Sequence, residues 1–294
     1  MFTNLLRRDI DVRARLPRDV RRILYVAAWA GAAIGLTQEW VIFKALGRIG
    51  GDSHAYWHAL HGPMYTTAPG TLDAFLYSPV FAQLLWPIAQ LPAPLFVALF
   101  SIGDAVLLVW LLRPLGWRWV APLLVAASPE ICSGNVFVPL AWAAVMGFQW
   151  PGAWALPALT KITPTLGPLW WLTRQEWRGV ATSLATTLAI AIPSVAITPH
   201  LWSEWLHFLA IHATQTAHTL GAPGVPGLIH RLPVAWLLVG WGSRRNQRWT
   251  IPVAMVLATP NLWLGSYTLL AGIPRLIAPR RTAPPGRPEP TTAE

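Results

Sequence analysis

Apolar runs separated by short polar, proline-bearing joints fill almost the whole chain. The run 23–38, extending to about Phe43, predicts a first membrane helix, since a bilayer core takes about 20 residues of helix. Runs 94–112 and 179–197 predict further spans. Runs 79–91, 119–127, 136–149, 152–160 and 165–173 are near or below spanning length. Late runs 226–242, 250–266 and 267–278 complete a pattern of roughly eight to ten membrane segments. Two joints stand out, Ser128-Pro129-Glu130-Ile131-Cys132-Ser133-Gly134-Asn135 and Lys161-Ile162-Thr163-Pro164. Broken helices with polar joints survive in a membrane only where protein or a wet cavity surrounds them. Both joints are therefore candidate walls of a site.

Composition narrows the class. Of 294 residues 54% are hydrophobic and only 12% charged, with 19 Trp and 28 Pro. That is about half the charge of a soluble domain, and it is also the opposite of a disordered chain. The expectation is an all-α polytopic membrane protein. The net charge of +10 comes from basic residues that cluster between apolar runs. Such spacing fits cytoplasmic loops under the positive-inside rule and argues against nucleic acid as a partner. Residues 1–22 read as a cytoplasmic basic N-terminus rather than a cleaved signal. Residues 23–278 read as one membrane domain with outer loops at about 44–78 and 198–225, and 279–294 as a disordered Pro-rich tail. The single cysteine, Cys132, excludes an intrachain disulfide.

Polar chemistry gathers on one predicted side. Seven of the eight histidines lie in the two outer loops, and the eighth, His230, follows the second loop beside Arg231. Asp52 lies just past the first helix, and such a carboxylate can take a proton from a sugar hydroxyl or cap a short helix. Nearby Trp and Tyr faces suit sugar rings. Asp104 falls inside an apolar span, where an ionisable group is costly. His54, His58 and His61 share one helical face, which suits either a metal or an interfacial helix. Lys161, one of two lysines, wants an anion such as a lipid phosphate, or snorkels to the interface. His230 and Arg231 suit phosphate or sugar, or simply anchor the topology. Asn135 either caps the next helix or binds a ligand.

The order of these features resembles a family. Gly51-Asp52-x-x-x-Tyr56-Trp57 is followed by Tyr65 and by Phe75-Leu76-Tyr77-Ser78-Pro79-Val80-Phe81-x-x-Leu84-x-x-Pro87. Then come Ser133-Gly134-Asn135, Leu159-Thr160-Lys161-Ile162-Thr163-Pro164, and Gly227-Leu228-Ile229-His230-Arg231-Leu232. Over residues 20–275 the chain resembles the polyprenol-phosphate-mannose-dependent mannosyltransferases of glycosyltransferase family 87. The resemblance implies a GT-C fold with short broken helices around an outer-face cavity, in the plasma (inner) membrane with a cytoplasmic N-terminus. It implies a polyprenyl-phosphate mannose donor, a glycolipid or glycan acceptor, inversion at the sugar carbon, and neither metal nor other cofactor. Asp52 matches the catalytic carboxylate. Tyr56, Tyr65 and Tyr77 match the loop aromatics, Lys161 the lysine of the broken helix, and His230 with Arg231 the late polar pair. His54 and Asn135 complete the expected substrate-binding set. The chain is shorter than the family pattern implies. A shortened non-catalytic member, a transporter of lipid-linked substrate and a metal-handling protein therefore stand as alternatives.

Overall fold

The computed structural model describes residues 17–212, 225–260 and 262–277. The tail 279–294, His218 and much of the second outer loop lie outside the described residues. Among those described, regular structure is helical throughout. In chain order the helices are α1 (Arg18–Leu46), α2 (Gly51–Ala59), α3 (Pro79–Ala89), α4 (Ala93–Leu112), α5 (Trp117–Ala126), α6 (Ser128–Ser133) and α7 (Phe137–Met146). They continue as α8 (Ala155–Leu159), α9 (Gly167–Thr173), α10 (Trp177–Ile197), α11 (Pro199–His212), α12 (Leu228–Arg244), α13 (Thr250–Leu257) and α14 (Ile273–Ile277). Short 3-10 segments include Pro151–Trp154, before α8, and Leu264–Gly272, before α14.

Three of these elements are long and apolar enough to cross a bilayer by length and composition: α1, α4 extended through Leu115, and α10. The sequence pattern predicts eight to ten membrane segments; the remaining apolar runs form shorter helices. The reason is visible in α7. Its 10 residues rise only about 15 Å, roughly half a bilayer core. Phe137, Val138, Leu140, Ala141, Ala143, Ala144 and Val145 are all buried, so every face of α7 meets protein. A helix apolar on all sides is buried, whether lipid or protein does the burying.

The long helices behave differently. α1 and α10 bury only small positions, Ala32 and Gly35 on α1 and Gly179, Ser183 and Ser194 on α10. Ile23, Val26, Trp29, Ile34, Leu36 and Trp40 of α1 stay exposed, as do Leu184, Leu188 and Ile192 of α10. These faces suit lipid. Gly35 lets α1 approach the Ala126 carbonyl at the end of α5, because a Cβ there would meet backbone. That approach brings the end of α1, and the chain that follows, to the joint between α5 and α7.

The core runs from α7 to Phe96, Leu108 and Leu111 of α4, Ile251 and Met255 of α13, and Leu269. Trp154 and Trp170 close it on one side, and Tyr56, Phe75, Tyr77 and Phe81 on the other. The first loop is thus part of the core.

Candidate active site

Two glycines fix the position of Asp52. Gly50 is the N-cap of α2 at φ +85°, and its amide donates to the Cys132 carbonyl at 2.8 Å. Gly134 ends α6 at φ +67°, where a Cβ would run into the Ser53 side chain. Both conformations favour glycine. Ser53 Oγ donates to the Ser133 carbonyl at 3.2 Å. The start of α2 is therefore joined to the end of α6, a contact between residues 81 positions apart.

Asp52 lies in the first turn of α2. Its side chain does not cap that helix. It turns instead to the joint, where one carboxylate oxygen accepts from Ser133 Oγ and from Asn135 Nδ2, the latter at 3.1 Å. Asn135 is buried, and its Oδ1 has no partner. The N-cap of α7 is Val136, so Asn135 holds Asp52 rather than starting the helix. Both donors fall on one oxygen, Oδ2, and the second oxygen is left for a hydroxyl.

Lys161 approaches the same place from the joint between α8 and α9. Its ammonium sits over the Phe137 ring, 3.6 Å from the centroid, and 6.0 Å from that of Tyr77. It interacts electrostatically with Asp52 and with Glu130. Among the described residues no carboxylate is within salt-bridge distance of it. Glu130, on α6, is 1% exposed. In the sequence it belongs to the joint 128–135, a candidate wall of a site, with no role of its own assigned. Its signal was a charge at a broken joint between apolar runs. Ser133 was equally visible in that joint, but its role depends on a contact across 81 residues.

The three tyrosines are placed differently from one another. Tyr56 and Tyr77 are buried in an edge-to-face cluster with Phe75 and Phe81, so their ring faces offer no platform for a sugar. Their hydroxyls bond to each other at 3.2 Å and feel the Asp52 charge. Tyr65 donates to the Tyr77 carbonyl at 2.9 Å. Burial, with the Glu204 charge, pushes its phenol well up. Tyr56 and Tyr77 lie within the field of Asp52, and Tyr65 braces the loop through the Tyr77 carbonyl.

His54 belongs to a second cluster. Arg48 donates to Asp73 at 2.6 Å and to His54 Nε2 at 3.1 Å. Because an arginine can only donate, Nε2 accepts, and Nδ1 carries the proton that goes to Asp73 at 2.8 Å. Burial pushes the Asp73 carboxyl up, but His54 and Arg48 outweigh it and hold the group below its usual range. Both ring nitrogens are thus engaged. His61 bonds the Trp57 carbonyl, and His58 is exposed. The shared histidine face therefore does not converge on one point.

Arg231 is held by the backbone. It is 7% exposed, and its guanidinium donates to the carbonyls of Pro226, Leu257 and Pro260 at 2.8–3.0 Å. The buried charge is satisfied by backbone and ties α12 to the end of α13. His230 beside it is exposed. No hydrogen bond among the described residues joins either to Asp52 or Lys161.

One further feature lies next to the cluster. An apolar groove of about 190 Å³ runs between Val80 and Phe81 of α3, Trp142 of α7, Leu156 and Leu159 of α8, and Ile190 of α10. Its lining reaches Thr160, the residue before Lys161.

Comparison with known families identifies the chain's family without bearing on these contacts. The model of glycosyltransferase family 87 matches residues 75–283, more than half of the chain. The chain belongs to glycosyltransferase family 87. It is thus a glycosyltransferase of a membrane setting, with a sugar donor and an acceptor as substrates. The matched stretch includes Tyr77, Glu130, Asn135, Lys161, His230 and Arg231; Asp52, His54, Tyr56 and Tyr65 precede it. No curated protein and no solved structure matches the chain.

Proposed function

We propose that this glycosyltransferase moves a sugar, mannose by the resemblance of its motifs, from a polyprenyl-phosphate donor to a glycolipid or glycan acceptor. The reaction takes place at the outer face of the plasma membrane, in a GT-C-type fold whose N-terminus is cytoplasmic. The observation that carries the reading is that Asp52, held by the joint 128–135, and Lys161, from the joint 161–164, act on one another electrostatically beside an apolar groove. A carboxylate, an ammonium and an apolar channel are what a hydroxyl, a phosphate and a prenyl chain require.

Asp52 is the general base. Ser133 and Asn135 hold one of its oxygens, so the other accepts the proton of the acceptor hydroxyl. The acceptor oxygen then attacks the sugar carbon from the face opposite the phosphate. The carbon–oxygen bond to the phosphate breaks, its electron pair stays on the phosphate, and the configuration inverts. Lys161 stabilises the charge that collects on the leaving phosphate, an effect that is strong in a site shielded from water. The groove ending at Thr160 takes the first part of the lipid chain. The mechanism calls for no nucleotide sugar.

The test is transfer by purified protein in detergent, with radiolabelled polyprenyl-phosphate mannose and a crude lipid and glycan extract as acceptor. Wild-type transfer that Asp52→Asn loses supports the reading. Equal transfer by both proteins overturns the base assignment, and no transfer by either folded protein across varied donors and acceptors favours the non-catalytic alternative.

A further inference from the structure

The cluster holds one more group than the mechanism uses. Glu130 is 1% exposed, and neither carboxylate oxygen has a hydrogen-bond partner. The Phe137 amide points toward it without reaching hydrogen-bond geometry. Gly265 packs directly on Oε2, where a Cβ would overlap it. The side chain is therefore confined, and its charged neighbours are few. Asp52 on α2, Asp104 on α4 and Lys161 act on it electrostatically, and Tyr56 and Tyr77 feel its charge. On its own helix Cys132 contacts Glu39 of α1.

Charge balance decides what Glu130 is. Among the described residues the groups acting on Glu130 are the carboxyls of Asp52 and Asp104 and one cation, Lys161. Asp52 has two donors on its carboxylate. Glu130 has none, and a buried carboxylate without donors or a partner is costly. Burial without a donor favours the protonated form of Glu130.

Resting on the proposed function, we propose that Glu130 is a positioning residue that controls phosphate entry through its own proton. Protonated, it leaves the Lys161 ammonium over the Phe137 ring and free for an anionic phosphodiester. Deprotonated, it takes Lys161 as its counter-ion, and the pocket repels the donor. Donor binding thus weakens as pH rises. No bond in the substrate changes in this step; one proton leaves Glu130 for solvent.

The experiment uses the full chain in nanodiscs and a short-chain prenyl-phosphate mannose, whose phosphodiester keeps one negative charge throughout. Binding is measured from mildly acidic to mildly alkaline buffer. Lys161→Arg keeps the cation charged at every pH, so any remaining pH dependence belongs to the carboxyl groups. Its affinity is expected to fall about tenfold, the equivalent of one pKa unit of coupling. Adding Glu130→Gln to that variant is expected to hold the affinity within about twofold. A flat response in Lys161→Arg, or an unchanged fall in the double variant, overturns the proposal. The infrared stretch of a protonated carboxyl in the unliganded protein gives a second readout. It is expected in Asp104→Asn and to be lost when Glu130→Gln is added to that variant; its survival in the double variant overturns the assignment. Proton-dependent binding without any transfer by wild type would instead sink the transferase reading and leave this control standing.

Discussion

Lys161 and Arg231 are both cations at the edge of apolar helices, and the molecule treats them in opposite ways. Three backbone carbonyls surround Arg231, so its charge is spent within the fold and ties α12 to the end of α13. Lys161 rests on an aromatic ring, with carboxyl groups near but not paired. A buried cation whose donors are met is architecture. One left with open donors beside a carboxylate and a groove is poised for an anion. The same contrast separates Asp73, clamped by Arg48 and His54, from Asp52, held on one oxygen only.

Substitutions can sharpen or break this contrast. The largest effect is expected for Asp52→Asn, with kcat at least about 100-fold lower, the contribution of a general base, and with normal folding. Lys161→Ala comes next. Losing a charge-assisted contact to phosphate costs about 1.5–3 kcal/mol, so the donor KM rises roughly ten- to a hundredfold while the acceptor KM changes little. Steady-state kinetics with each substrate varied in turn checks both, and an unchanged donor KM removes Lys161 from the site.

Arg231→Met is expected to act on stability alone. It leaves three carbonyls without their donor and costs about 3 kcal/mol, read as a lower unfolding midpoint. Transfer per folded molecule stays as in wild type. A selective loss of donor binding would erase the distinction between the two cations.

The smallest effect concerns Asp73. Its folded carboxyl titrates below the ordinary range, so its stabilisation is present above that range and disappears as pH falls through the lowered value. Asp73→Asn is expected to cost about 1 kcal/mol at neutral pH, in keeping with a partly exposed ion pair. The cost vanishes at low pH. The difference in thermal midpoint between the two proteins, followed against pH, checks the sign.

The parts of this fold that the sequence revealed are those set by local pattern. The two joints were legible because polar and Pro residues interrupt apolar runs at 128–135 and 161–164. Asp52 was legible because a carboxylate follows a long helix. The short runs were legible as short, but what covers them was not, since an apolar run reads alike whether lipid or protein covers it, and α7 is covered by protein. Tyr56 and Tyr77 looked like sugar platforms because aromatic residues serve both purposes, and only packing shows their faces occupied. The alternatives left open for Asn135 and Arg231 needed long-range contacts to resolve. Asn135 meets a carboxylate 83 positions away, and Arg231 meets carbonyls 26 and 29 positions away. Glu130 escaped notice because its meaning lies in its lack of partners, which no spacing records.

The most direct test of the central claim separates binding from chemistry in one preparation. Asp52→Asn in nanodiscs is loaded with radiolabelled prenyl-phosphate mannose, its affinity is measured, and acceptor extract is added for a single turnover. The account predicts donor affinity within a few-fold of wild type and almost no labelled product. Product formed at the wild-type rate would contradict it and would place the base elsewhere.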